Sequence, residues 1–314
     1  RSREIFMNNW MEPEKLTTIR LNHYGAFPLK KSASKLFLLT LIIMTLSLIN
    51  SPVNSQVDID DGLVQAAYKG EFRKIRSLIA KGVDINQIDH KGRTALYTSS
   101  AQGHLDIVEI LLSKGADINF QHKRGFNPLM LASLKGHKEI VDILLAKGAG
   151  VNFEGKGGFT ALTFAALHGH KEIVNAMLTN GAKVDHQARD GWTALLYASQ
   201  GGHRAVVEAL LGNGADIHHQ TKKDATTALV LASKNGHGRI LKILLAKGAK
   251  IDHQTKEGYT ALMRASQYGH TQIVLTLMDA GANLKLKNNR GLTAEKLSSE
   301  PEIETMLNAA AAMK

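Results

Sequence analysis

Apolar residues in this chain fall in short clusters at helical spacing, separated by polar stretches rich in glycine, lysine, asparagine and histidine. Ile107, Val108, Leu111 and Leu112 recur at intervals that put them on one face of a helix. Leu144 and Leu211 belong to equivalent clusters and are expected on the same buried face. A shorter helix is predicted before each cluster. Thr94, Thr160, Thr193 and Thr260 stand where a helix N-cap hydroxyl is wanted, and Pro128, after Asn127, suits a first helical position. The short helix stops at the glycine of a Gly-His pair, because glycine takes the left-handed conformation that ends helices at little cost. The longer helix runs to a second glycine such as Gly115, and a polar finger leads to the next start.

This unit recurs. Its opening reads GRTAL from Gly92, GFNPL from Gly125, GFTAL from Gly158, GWTAL from Gly191, ATTAL from Ala225 and GYTAL from Gly258, at spacings of 33, 33, 33, 34 and 33 residues. Gly-His pairs follow at fixed distance, at His104, His137, His170, His203, His237 and His270. Glycines close the units at Gly115, Gly148, Gly181, Gly214, Gly248 and Gly281. A period of this length specifies an array of stacked units rather than a single globular core.

The phrase resembles the ankyrin repeat, with its Gly-x-Thr-Pro-Leu-His opening, mid-repeat Gly-His and Leu-Leu-x-x-Gly-Ala close. The resemblance covers about residues 58–307. The family's proline survives only as Pro128, and its opening histidine is replaced by Tyr97, Met130, Thr163, Leu196, Val230 and Met263. The resemblance implies an all-α repeat solenoid of stacked helix pairs with projecting β-hairpin fingers, and histidines that fasten successive repeats. Residues 58–90 lack the opening phrase and carry Gly70-Glu71 in place of Gly-His, as an N-terminal cap would. Six repeats then span 91–289. GLTAE from Gly291 puts Glu295 where the others have leucine, so 290–308 is expected to be a C-terminal cap and 309–314 a frayed tail.

A second pattern precedes the repeats. Lys30, Lys31 and Lys35 are followed by a 14-residue run, apolar but for Thr40, Thr45 and Ser47, from Leu36 to Ile49, then a polar segment with small residues at Val53 and Ser55. Residues 30–55 are therefore expected to be a signal peptide cleaved after Ser55, or else an uncleaved N-terminal membrane anchor; the run is short of the ~20 residues a bilayer span requires. Residues 1–29 are an upstream leader, with Met11 or Leu29 as candidate starts. The chain is expected to be a bacterial protein in the periplasm or beyond, or an anchored or host-delivered effector. No cysteine is present, which excludes a lipid-modified cysteine, disulfides and cysteine-based zinc sites.

The formal net charge is +11 over 314 residues. Residues 1–55 contain seven basic and three acidic residues, so +4 resides there and +7 on the remainder. That mild excess favours an acidic partner surface over nucleic acid.

Candidate chemistry is sparse. The run from Gly150 to Lys156 matches a GxxxxGK phosphate loop, but Gly157 follows where Ser or Thr should hold magnesium, and no strand feeds it. Histidines His186, His219 and His253 recur at one finger position, each followed by glutamine (Gln187, Gln220, Gln254), and form a polar ladder rather than a metal site. His218 beside His219 is the one local cluster. No nucleophile, acid or base stands out, so no cofactor, metal or catalytic residue is assigned.

The residues at the finger tips vary instead. Aromatic Phe126, Phe159, Trp192 and Tyr259 follow the opening residue, with Lys123, Arg124, Lys156 and Arg189 beside them. Exposed rings among cations suit a protein interface. The positions before Gly-His also differ between copies, including Leu134 and Lys135, Leu167 and His168, and Tyr268. Together they form the expected contact surface of a monomeric, non-catalytic protein-binding scaffold.

Overall fold

The computed structural model describes residues 62–312. The leader, the signal or anchor segment, residues 58–61 and residues 313–314 lie outside the described residues. Seven helix pairs follow in order: α1 (Gly62–Lys69) with α2 (Phe72–Ala80), α3 (Ala95–Gln102) with α4 (Leu105–Ser113), and α5 (Pro128–Lys135) with α6 (Lys138–Ala146). Next come α7 (Ala161–His168) with α8 (Lys171–Thr179), and α9 (Ala194–Gly201) with α10 (Arg204–Gly212). The last pairs are α11 (Ala228–Lys234) with α12 (Gly238–Ala246), and α13 (Ala261–Gln267) with α14 (Thr271–Asp279). A 3₁₀ turn, Glu295–Leu297, and α15 (Pro301–Ala312) close the stack.

First helices pack on first helices and second helices on second helices, giving two parallel rows. Their compositions explain the difference. From Pro128 to Leu134 every residue of α5 is buried, as a helix walled in on several sides requires. In α6 only Ile140, Val141, Leu144 and Leu145 are buried. Val206, Val207 and Leu210 form that buried row in α10, so Leu211, one position further round, is half-buried rather than core.

The caps follow the sequence with one exception. The side chains of Thr94, Asn127, Thr160 and Thr260 accept from the backbone N–H three residues on, and Thr227 does the same for the fifth unit. Thr193 makes no such bond, and its hydroxyl is buried without a partner.

The histidines of the Gly-His pairs join the repeats. Each Nε2 donates to a carbonyl in the last turn of the preceding repeat's first helix: His104 to Tyr68 at 3.3 Å, His137 to Ala101 at 3.3 Å and His170 to Leu134 at 3.2 Å. The series continues with His203 to Leu167 at 2.9 Å, His237 to Gln200 at 3.0 Å and His270 to Lys234 at 3.1 Å. These carbonyls have lost their helical partners at the helix end, so the imidazoles satisfy acceptors that burial would otherwise orphan. Each ring lies against the preceding repeat's glycine. A Cβ on Gly103 would come within 2.6 Å of His137 Cε1, and its φ of 85° is itself left-handed. At the end of the array Ser299 and Glu300 stand over Gly269 instead, and the Ser266 hydroxyl donates to the Ala294 carbonyl at 2.6 Å.

Two further expectations change. Among the described residues no β-strand is formed, so the fingers are tight turns rather than β-hairpins. Each is closed by two backbone bonds within one turn, such as His122 N–H to Phe126 O at 2.9 Å and Gly125 N–H to His122 O at 2.6 Å, and fingers whose backbones bond to a neighbour's do so singly, as Arg189 N–H to Gly157 O at 2.9 Å. Single bonds do not build a ladder. The alanine-rich end is helical through Ala312, in keeping with alanine's high helix propensity.

Ala225 is the one non-glycine residue with positive φ among the described residues, at 55°, where neighbouring units have glycine. That conformation is strained for an L-residue. Ala225→Gly is expected to stabilise the protein by about 0.5–1 kcal/mol, part of the relieved strain being offset by the greater freedom of unfolded glycine. A urea midpoint that rises at constant slope supports this; an unchanged or lower midpoint contradicts it.

Candidate protein-binding surface

Where the first residue of a finger turn has a polar side chain, that side chain holds the turn. Asp89 Oδ1 accepts from Lys91 N–H at 3.0 Å and Arg93 N–H at 2.8 Å, and the buried carboxylate pairs with the Arg93 guanidinium at 2.6 Å. Asn288 Oδ1 does the same work for Arg290 and Leu292, both at 3.0 Å. Gly155 allows two fingers to approach closely, since a Cβ there would meet the Gly125 carbonyl oxygen at 2.7 Å. The GxxxxGK match thus belongs to a packed finger with a 3₁₀ turn over Lys156–Gly158.

The second histidine series is also spent on backbone. His186, His219 and His253 donate from Nε2 to Gly158, Gly191 and Ala225 carbonyls, each at 2.7 Å. His122 does so to Lys91 O at 3.0 Å from a different finger position, and sequence spacing did not single it out. Among the described residues no three histidines or carboxylates are grouped to hold a metal. His218 is exposed, with its backbone N–H on Asp216. Gln254 bridges the Gly258 and Lys287 carbonyls at 2.9 and 3.0 Å.

The aromatic residues depart from expectation. Phe126, Phe159, Trp192 and Tyr259 are 9, 4, 7 and 7% exposed, so they do not project as a stripe of exposed rings. They form a buried zipper with rings from the first helices. Phe126 stacks on Phe164 of α7 at 5.2 Å, Phe159 lies between Phe164 and Tyr197 of α9 at 5.5 and 5.9 Å, and Trp192 meets Tyr197 at 4.9 Å. Tyr259 carries the Arg264 guanidinium 3.6 Å above its ring. Rings at these separations add about 0.5–1.5 kcal/mol per pair beyond the area they bury. Their work is to fasten fingers to helices.

Leu134 and Leu167, expected in the contact surface, are likewise buried, at 4 and 8% exposed, because their turns face the neighbouring first helices. Lys123, Arg124, Lys156 and Arg189 are exposed on three successive fingers, and among the described residues none of them is ion-paired. Lys135 and His168 are half-buried at the adjoining helix ends. Tyr268 is 42% exposed, with its ring 6.5 Å from His270 and the Lys234 ammonium 5.8 Å from its centroid. What remains accessible is thus mostly cationic, with one aromatic ring at the C-terminal end.

Burial pushes His168 down to about 4, and His170, His203 and Lys135 add to the effect. Its Nε2 is buried without a partner. Burial also holds His122, His137 and His203 below the ordinary imidazole range, and Lys135 below the ordinary ammonium range. In the unfolded chain these imidazoles titrate near 6.5. The unfolded state therefore binds more protons below that value, so the stability from neutral His168 is complete above about pH 6.5 and is lost as pH falls towards about 4. His168→Gln, which installs the residue type found at Gln102, is expected to flatten the fall in urea midpoint between pH 7 and 4.5. An identical pH slope in the variant contradicts this account.

A family model described as ankyrin repeats matches three times, over residues 63–154, 148–221 and 206–288. Over 47 residues, 15% of this chain, the sequence is 40% identical to the mitochondrial liver isoform of glutaminase from Rattus norvegicus, but the match spans only 8% of that protein. It is 38% identical over 47 residues to each of two Rickettsia felis chains named as ankyrin repeat proteins, RF_p14 and RF_pd14, and covers 75 and 71% of their lengths. The repeated helix pairs, the histidine ties between them and a family match along most of the described residues establish that this chain belongs to the ankyrin-repeat family, whose arrays are protein-protein interaction modules.

Proposed function

We propose that this array is a non-catalytic scaffold that holds a partner protein with an acidic surface along the finger crests. The observation that carries the reading is the set of unpaired cations Lys123, Arg124, Lys156 and Arg189 on fingers joined by the Gln121 side chain to the Glu154 carbonyl, by the Arg189 N–H to the Gly157 carbonyl and by buried rings. Their side chains need no rearrangement of an existing ion pair before meeting carboxylates. Lys135 and Tyr268 extend the surface towards the helix ends. The engagement of both histidine series on carbonyls leaves these rings in structural roles, which also favours binding over catalysis.

The same reading places the scaffold outside the cytoplasm, in the periplasm or secreted, on the basic-apolar-small order of residues 30–55. An exported species beginning at Gln56 by intact mass supports this. A mature species retaining Leu36 to Ile49 favours the membrane-anchored form, and an effector delivered to a host would be recovered from host fractions.

The binding role is tested by capturing the partner with the full chain and measuring its kinetics. Arg124→Glu with Lys156→Glu is expected to slow association about tenfold or more and to weaken its salt dependence. Trp192→Ala is expected to cost about 3–5 kcal/mol of stability as a large-to-small core change, while the folded fraction binds with unchanged kinetics. Normal association by the charge-reversed variant, or binding lost through Trp192 at full stability, overturns the assignment.

A further inference from the structure

Away from the fingers, the second helices of the last two full repeats enclose a groove of about 470 Å³ between α12 and α14. Its wall on α12 presents Gly238, Arg239 and Lys242, and its wall on α14 presents Thr271, Gln272 and Thr276, with Ile273 at the base. Two sequence features make this groove unlike its counterparts. The first is Gly238. Equivalent positions in the other second helices have Phe72, Leu105, Lys138, Lys171, Arg204 and Thr271, so only here is a side chain missing from the start of the helix. A Cβ on Gly238 would find one heavy atom within 4 Å, Ile273 Cγ1 at 3.7 Å, so the space above the apolar base is open.

The second feature is charge. Where α4 has Asp106 and Glu109, and α6 has Glu139 and Asp142, α12 has Arg239 and Lys242; α2 has a like pair, Arg73 and Arg76, but there Phe72 fills the position of Gly238, so the open gap and the two cations coincide in α12 alone among the second helices. In α6 and α10 such charges pair within their own helix, Lys138 with Asp142 and Arg204 with Glu208. Among the described residues neither Arg239 nor Lys242 has an ion pair, both are exposed, and no carboxylate lines the groove. An apolar slot flanked by two unneutralised cations is complementary to a segment that offers an apolar side chain between carboxylates.

We propose that the α12–α14 groove is a second docking site, taking an acidic peptide segment of a partner protein whose single aliphatic side chain enters the gap left by Gly238. Arg239 and Lys242 receive the flanking carboxylates, and Gln272 and Thr271 offer polar contacts on the opposite wall. The site is separate from the finger crests and does not depend on the function proposed for them.

Fluorescence anisotropy of the full chain with a labelled 12-residue Asp/Glu peptide bearing one central leucine tests this. Binding is expected, with at least tenfold weaker affinity for the same peptide with glycine in place of leucine. Gly238→Leu, which installs the residue seen at Leu105 and has room to fold, is expected to weaken binding at least tenfold with an unchanged circular dichroism spectrum. Arg239→Glu with Lys242→Glu does the same, whereas Arg124→Glu with Lys156→Glu leaves this peptide's affinity unaltered. Full affinity in Gly238→Leu, equal affinity for the leucine-free peptide, or complete competition by millimolar inorganic phosphate overturns the proposal. So does light scattering that shows a dimer of the free chain which Gly238→Leu converts to monomer.

Discussion

The contact on which the array depends is an imidazole from one repeat lying on a glycine of the repeat before and donating to a carbonyl at the end of that repeat's first helix. Each bond is an ordinary neutral one, about 0.5–1.5 kcal/mol net. Its importance comes from position. The carbonyls at a helix end have no helical donor, and here they lie between packed rows where water cannot substitute freely. Glycine is required on both counts, left-handed geometry and the lack of a Cβ under the ring. The Gly-His pair is thus one device divided between neighbours, and it explains why the caps differ: the first unit provides the carbonyl of Tyr68 without a histidine of its own, and Ser299 and Glu300 cover Gly269 at the other end.

A second set of contacts ties the fingers to the rows and decides what is left for recognition. Rings at Phe126, Phe159 and Trp192 alternate with Phe164 and Tyr197, so the aromatic surface is consumed internally. Histidines at His186, His219 and His253 are consumed on carbonyls. What stays accessible on the finger crests is charge held on a stiff support. Charge-led recognition on such a support acts strongly on association rate and specificity.

Much of this was legible in the sequence because the period repeats each signal six times. Helix starts at the threonines, stops at the Gly-His glycines and the apolar faces of the second helices are local properties, and local properties repeat with the unit. The misreadings concern contacts between units. Phe126 is buried by Phe164, a residue 38 positions on that belongs to another repeat's helix, so nothing beside Phe126 announces its burial. Leu211 differs from Leu210 only by a rotation of one residue about the helix. Thr193 has the right residue type for a cap yet leaves its hydroxyl unbonded, and the sequence around it matches the units whose threonines do cap. Ala225 keeps a left-handed turn without glycine because the finger that ends the 34-residue spacing from Gly191 still has to present its carbonyl to His253.

Neighbouring repeats are held by the apolar packing of the two helix rows together with these shared histidine contacts, and both join only adjacent units, so stability passes only from one unit to the next. Native-state hydrogen exchange on His170→Ala tests it most directly, because that change removes the tie between α5 and the α7–α8 pair while leaving every helix sequence intact. The account predicts that amide protection falls most in the units on either side of the lost bond, with a gradient towards each end of the array. A uniform loss of protection across residues 62–312 would contradict it.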